Sequence, residues 1–245
     1  MKKCGRDILK SNWKMLEVEK PDRDKKIPIP PYIKPYDENG EFIDLIPPEN
    51  IKLGNIDIRR VLENRKSRRT FEDKPLTLEE LSYLLYYTQG VKSIVKDKVT
   101  FRTVPSAGAT HPLETYLLIF NVEGVEKGLY RYIPTIHKLL LIKKGDFSRE
   151  IVDATLGQAF LGKSAVVFIW TAIPYRTEWK YSFEAHKTIA IDAGHACQNL
   201  YLTAESINCG TCAVAAYDQE AMDKLIGVDV NDELVVYLAP VGKSK

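Results

Sequence analysis

Arg65-Lys66-Ser67-Arg68-Arg69-Thr70-Phe71 is the stretch on which the reading of this 245-residue chain turns. A short helix is predicted before it, from about Asp57 to Glu63, and a longer one after it, starting at Thr77. If the backbone between them is extended, successive side chains alternate, so Arg65, Ser67 and Arg69 project to one side and Lys66 and Arg68 to the other. Two guanidinium forks and a hydroxyl on one face suit a phosphate and an electron-rich ring edge. The same residues also read as a solvated basic turn, and the motif alone does not separate the two.

Upstream, Ile27-Pro28-Ile29-Pro30-Pro31 and Ile46-Pro47-Pro48 exclude regular helix over about residues 20–50. Tyr32, Ile33, Tyr36, Phe42, Ile43 and Leu45 give that stretch apolar groups to bury, so residues 1–55 are expected to form a packed arm ahead of one domain at 56–245. Downstream, Thr77 and Glu80 have the capping-box spacing, with Leu78, Leu81, Leu84 and Leu85 on one face behind them. Strands are predicted at 116–122, Gly128–Ile133 and 138–142, a helix around 151–160, and a buried strand in the continuous apolar run 165–172. The longest helix should run from about Glu184 to Ile207, with Ile189, Ala193, Ala196, Leu200 and Ala204 at three- and four-residue steps. A small-residue strand or turn at 209–216, a helix from Asp218 to Ile226 stopped by Gly227, and a strand at 234–238 complete an α+β pattern.

Composition narrows the function. The 35 basic and 33 acidic residues leave a net charge of +2 spread along the chain, without the clustered stripe that a nucleic-acid groove needs. The basic opening Met1-Lys2-Lys3 is not followed by a signal-peptide core, no run is long and apolar enough to span a bilayer, and four cysteines are too few for a disulfide framework. These features predict a cytoplasmic protein.

Two motifs look like chemistry and fail on context. Gly157-Gln158-Ala159-Phe160-Leu161-Gly162-Lys163-Ser164 satisfies the phosphate-loop expression. Such a loop must follow a strand and open a helix, whereas a predicted helix precedes this one and a predicted strand follows. Cys209-Gly210-Thr211-Cys212 matches a thiol redox pattern but follows a helix instead of opening one. His195 and Cys197, two apart on a helix, cannot share a metal with it. Buried small hydrophobes are the expectation for these cysteines, and hydrogen-bonded structural residues for His111 and His186.

Two further pieces accompany the arginine motif. Pro105-Ser106-Ala107-Gly108-Ala109-Thr110-His111-Pro112 is a small-residue loop whose backbone can approach a flat ligand, with Ser106 and main-chain amides as donors; it also reads as a tight turn. Val241-Gly242-Lys243-Ser244-Lys245 either adds charge to the same phosphate or is a frayed tail.

In order and separation these pieces resemble the nitroreductase superfamily, FMN enzymes that carry an R-x-S-x-[RK] element, a P-S-x-x-x-x-x-P loop and a basic tail. The closest resemblance is to the SagB-like branch, azoline dehydrogenases of modified peptides, through Gln89-Gly90, Lys180-Tyr181 and Ala193-Gly194-His195 with Gln198-Asn199-Leu200. The resemblance implies a central mixed or antiparallel sheet flanked by helices, in an intertwined homodimer with FMN at the interface. It further implies that Arg65, Lys66, Ser67 and Lys243 surround the phosphate and ribityl chain, and that Arg69 faces the N1–C2 edge of the ring. The loop Pro105, Ser106, Ala107, Gly108 and Ala109 would come from the other protomer. The backbone of Val214, Ala215 and Ala216 would meet the N5 edge with Gln158 nearby, and Lys180 and Tyr181 would act as acid and base. The chain departs from many nitroreductases in having Ala109 and His111 for Asn and Gln, and Ala215-Ala216 for Glu-Gly, which disfavours nitroaromatic reduction. A flavin-storing protein without turnover, and a thiol redox protein using Cys209 and Cys212, remain the alternatives.

Overall fold

Val166–Ala172 shows no alternation of apolar and polar residues because both faces of this strand are covered. Phe168 and Trp170 point into a core shared with Leu81, Leu84, Leu85, Ala196 and Leu200, while Val167 and Ile169 point the opposite way, towards Ile151, Met222 and Ile226. The neighbouring strand divides likewise, Leu117 and Ile119 to the first core and Tyr116 and Leu118 to the second. In this computed structural model, which describes residues 4–245, a sheet thus lies between two helical layers.

The strands are β1 (Phe42–Asp44), β2 (Val91–Val95), β3 (Val99–Arg102), β4 (Leu113–Ile119), β5 (Gly128–Ile133), β6 (Lys138–Lys144), β7 (Val166–Ala172), β8 (Cys209–Thr211) and β9 (Leu234–Lys243). The helices are α1 (Ile58–Asn64), α2 (Leu78–Gln89), α3 (Ser148–Ala154), α4 (Tyr175–Tyr181), α5 (Ala185–Ser206) and α6 (Gln219–Ile226). The main sheet has the order β1-β6-β5-β4-β7-β9-β8, and all its strand pairs are antiparallel. A parallel bridge from Ser67 to Thr211 continues it past β8, placing the arginine motif along that edge in extended form. The fold is α+β, with an antiparallel sheet flanked by helices, as expected.

Local chemistry explains the elements that match and those that do not. Thr77 and Glu80 form the full capping box of α2, and Asp218 and left-handed Gly227 bound α6. β4 starts three residues before its predicted position, directly after Pro112, and ends three residues early at Ile119, where the amides of Phe120 and Asn121 leave the ladder for the carbonyl of Ala165. α3 ends at Ala154 because Leu156 and Gly157 adopt left-handed conformations, with φ of 58° and 83°. β9 runs five residues beyond its predicted end, through Pro240. On the side away from β7, the β8 ladder begins only at Val241 and the Val214 bridge is made at Leu238, so Pro240 falls in a gap between partners. The β2–β3 hairpin was not predicted; its turn at Lys96 and Asp97 takes left-handed φ of 53° and 51° without the usual glycine.

The proline-rich segment contributes one strand to the sheet edge, β1, and otherwise runs irregularly. Its polar anchors reach the sheet through Lys34, which meets Tyr116 and Glu233, and α4 through Arg176, which donates to the carbonyl of Pro31 at 3.1 Å.

Candidate functional site

The implicated residues gather in two groups. The first forms around Tyr201 on α5, whose hydroxyl lies 2.9 Å from Ser67 Oγ and receives the amide of Ala213 at 2.8 Å. The Arg65 guanidinium lies over the same ring, 5.3 Å from its centre, and that of Arg69 lies 5.9 Å from the centre of Phe160. Gln158 donates to the carbonyl of Ala216 at 2.8 Å, which brings the 158–160 turn to the small-residue segment. Arg68 instead forks onto Glu205, one turn further along α5 from Tyr201. Arg65, Lys66 and Arg69 meet no carboxylate among the described residues, whereas Arg68 is neutralised.

Ala215 and Ala216 are exposed, but Val214 is buried, and its N–H and C=O are both bonded to Leu238. The backbone a ligand could meet therefore starts at Ala215, one residue later than expected. Lys243 is not a frayed tail. It ends β9, and its ammonium pairs with Glu80, the residue that also caps α2, rather than with Arg65 or Ser67.

The second group surrounds the 105–109 loop. Gly108, Ala109 and His111 have φ of 58°, 54° and 44°, left-handed values that only the glycine adopts without strain. Ser106, expected to donate outward, instead gives its hydroxyl proton to Asp192 on α5 at 2.5 Å and accepts the amide of His111 at 3.0 Å. The Ala107 amide is also spent on Asp192, at 3.2 Å. Lys180 donates to the Gly108 carbonyl at 2.9 Å, and Thr110 and Thr177 share a hydrogen bond of 2.8 Å. Lys180 and Tyr181 are on the last turn of α4, a helix the sequence did not predict, and there both side chains reach Gly108. Burial lowers the Lys180 pKa, with Arg23 adding repulsion.

Beneath this loop Arg176 and Glu114 form an ion pair of 2.7 Å with both side chains buried. Burial and the nearby Arg102 and Arg176 push His111 down to about 3, so it is a neutral structural residue, as expected. No hydrogen bond or ion pair joins the two groups within the chain, among the described residues. Between α5 and β9 lies a groove of about 530 Å³ lined by Ile189, Ala193, Gly194, Ala215, Val236 and Tyr237.

The rejected motifs stay rejected. Residues 157–164 lie between α3 and β7, and Cys197, Cys209 and Cys212 are free and buried, with the Cys197 and Cys209 thiols pushed up to about 12, chiefly by burial. Such thiols are not poised for redox exchange at neutral pH. His195 is exposed where Cys197 is buried, and no metal-binding cluster exists among the described residues. No helix of the described residues is long and apolar enough to cross a membrane.

A sequence model of the Nitroreductase family matches residues 62–243, which span both groups. The chain belongs to the nitroreductase family. A Methanocaldococcus jannaschii protein assigned by name to the nitroreductases, MJ1384, is 37% identical over 191 residues, covering 78% of this chain and 93% of its own. Among solved structures, an Anabaena variabilis protein assigned to the nitroreductases shares 25% identity with a TM-score of 0.71; the match covers 85% of this chain but only 42% of that one. A chain of the Escherichia coli microcin synthetase McbBCD complex, with truncated pro-MccB17 bound, is similar in fold alone, at 19% identity and a TM-score of 0.62, covering 98% of this chain and 97% of that one.

Nitroreductases are oxidoreductases that generally use a flavin, and the first group has the donor chemistry for one: cations without counter-ions, a hydroxyl, and a small-residue backbone beside a groove. Three side chains that contact the candidate residues had no motif of their own in the sequence: Tyr201, Phe160 and Asp192, the last an acidic residue one position before Ala193 in an apolar stripe.

Proposed function

We propose that this nitroreductase is an FMN-dependent oxidoreductase of the azoline dehydrogenase kind, working as a homodimer on a small molecule or modified peptide. The observation that carries this reading is the division of the site into two groups that do not join within one chain. A second copy presenting its 105–109 loop to the Arg65–Ser67–Arg69 face would complete it. The likeness in fold, over nearly the whole chain, to a chain of the microcin synthetase complex with truncated pro-MccB17 bound supports the substrate class.

Arg65 and Ser67, with Lys66 beside them, would hold the FMN phosphate, and Arg69 would stand at the ring edge where negative charge builds. Lys243 adds only the charge that Glu80 leaves uncompensated. Bound FMN supplies a two-electron hydride acceptor at N5. Aromatising an azoline ring removes one proton with that hydride, and the chain's part is the proton. Lys180, half-buried and with its pKa lowered, takes it, while the adjacent Tyr181 orients or relays. The segment 105–109, Gln158 and Ala215–Ala216 provide shape, not charge. The location proposed with this function is the cytoplasm, a compartment in which free cysteines such as Cys197, Cys209 and Cys212 stay reduced.

Anaerobic mixing of the FMN-loaded protein with a thiazoline-containing peptide tests this. Loss of the visible flavin absorbance with formation of the thiazole is expected. Reduction by NADH or NADPH without any azoline oxidation would return the protein to general nitroreductase chemistry, and reduction by neither would favour flavin storage. A flavin-loaded monomer in sedimentation would contradict the shared site.

A further inference from the structure

Asp192 is a buried carboxylate in the middle of α5, on a helix face otherwise lined by Ile189, Ala193 and Ala196. A carboxylate in such a place is costly unless its oxygens are bonded. Both are: Oδ2 takes the Ser106 hydroxyl at 2.5 Å, and Oδ1 takes the Ala107 amide at 3.2 Å. Ser106 passes the restraint on by accepting the His111 amide, so a single side chain of α5 ties down both ends of a loop with three left-handed residues. From the other side, α4 holds the same loop through Thr177 and Lys180. The loop is therefore clamped between two helices, and the Lys180 ammonium rests on a carbonyl whose position Asp192 sets.

We propose that Asp192 is the positioning residue of the 105–109 loop, fixing the backbone offered to the partner's flavin and, through the Gly108 carbonyl, the Lys180 ammonium. The flavin half of this rests on the function proposed above; the Lys180 half does not. Burial raises the Asp192 pKa, and the Ser106 and Ala107 bonds oppose that rise, consistent with a carboxylate retained for its contacts.

The test uses Asp192→Ala, Asp192→Asn and, as a milder change at the other end of the bond, Ser106→Ala. Two readouts are taken on the full-length protein: the FMN dissociation constant, and the rate at which acetic anhydride labels Lys180, followed by mass spectrometry. Melting of the apoprotein checks that each variant folds. Asp192→Ala is expected to weaken FMN binding at least tenfold and to accelerate Lys180 labelling several-fold. Ser106→Ala should shift both in the same direction, and Asp192→Asn, which keeps one acceptor for Ser106, should fall between the parent and Asp192→Ala. If Lys180 labels at the parent rate in both Asp192→Ala and Ser106→Ala, the proposal is overturned, whether or not FMN binds. If labelling accelerates but neither parent nor variants bind FMN, positioning of Lys180 by Asp192 stands and the flavin reading falls.

Discussion

Lys180 and Tyr181, neighbours in sequence, converge on one residue. A Cβ placed on Gly108 would lie 2.3 Å from the Tyr181 hydroxyl and 2.6 Å from the Lys180 ammonium. On an extended segment these side chains would point to opposite sides, but at the last turn of α4 they diverge by only about 100° and share a target. Gly108 has the left-handed φ of 58° and no room for a side chain, so loop and helix are matched in shape as well as hydrogen-bonded.

Turnover should depend on this pair far more than flavin binding does. Lys180→Ala and Tyr181→Phe are each expected to retain FMN and to lose about 100-fold or more in the substrate-oxidising half-reaction, the scale of a missing general acid or base. Gly108→Ala should reproduce that loss by displacing both side chains. Single-turnover kinetics on the loaded protein checks all three, and parent rates throughout would assign the pair to packing.

The pH dependence follows from the position of Lys180. Burial and the Arg23 charge both disfavour its ammonium form, so its pKa lies below the ordinary lysine value. In the proposed role of base it would become active as it loses its proton, giving a rate that rises with pH along a limb below the usual lysine range. Arg23→Ala removes repulsion, raises the Lys180 pKa and should move that limb to higher pH. The Arg23 backbone amide still donates to the Trp179 carbonyl, so the segment keeps its anchor.

Stability should weaken in mild acid through His111. Its folded pKa of about 3 lies far below the value of about 6.5 expected in the unfolded chain, so between these limits the unfolded chain binds a proton that the folded chain refuses. The contribution is fully present above pH 6.5 and is lost progressively as the pH falls towards 3. His111→Asn, with a residue that tolerates the φ of 44°, should flatten the fall in melting temperature between pH 7 and pH 5.

How much of this was legible in the sequence depended on the range of the interaction responsible. The capping box of α2, the Asp218 cap and Gly227 stop of α6, and the doubly covered run of β7 are written in neighbouring residues. The end of β9 was not legible, because Pro240 is tolerated only through the spacing of partners on β8. Nor was the helix carrying Lys180 and Tyr181, a seven-residue element mixing charged and aromatic residues after Pro174. Glu80 and Lys243 meet across 163 positions, and Asp192 and Ser106 across 86, so nothing local marked Lys243 as already paired or Ser106 as turned inward.

The two lysine- and arginine-bearing phosphate motifs make opposite forecasts. Arg65→Ala removes a cation that has no carboxylate partner and should weaken FMN binding by about 2 kcal/mol, the worth of a charge-assisted contact. Lys163→Ala, in the turn between α3 and β7, should leave binding nearly unchanged. Equilibrium titration of the apoproteins with FMN compares them, and a reversal of the two effects would move the phosphate site.

The identity of the bound flavin tests the central claim most directly. Arg65 and Ser67 offer charge and a hydroxyl for one phosphate, and among the described residues no glycine-rich turn joins a strand to a helix in the way that a dinucleotide requires. Acid release from the purified protein, followed by chromatography against FMN and FAD standards, is expected to yield FMN at about one per chain, since the proposed symmetric dimer would have two equivalent sites. Recovery of FAD, or of no flavin after attempted loading with FMN, would contradict it.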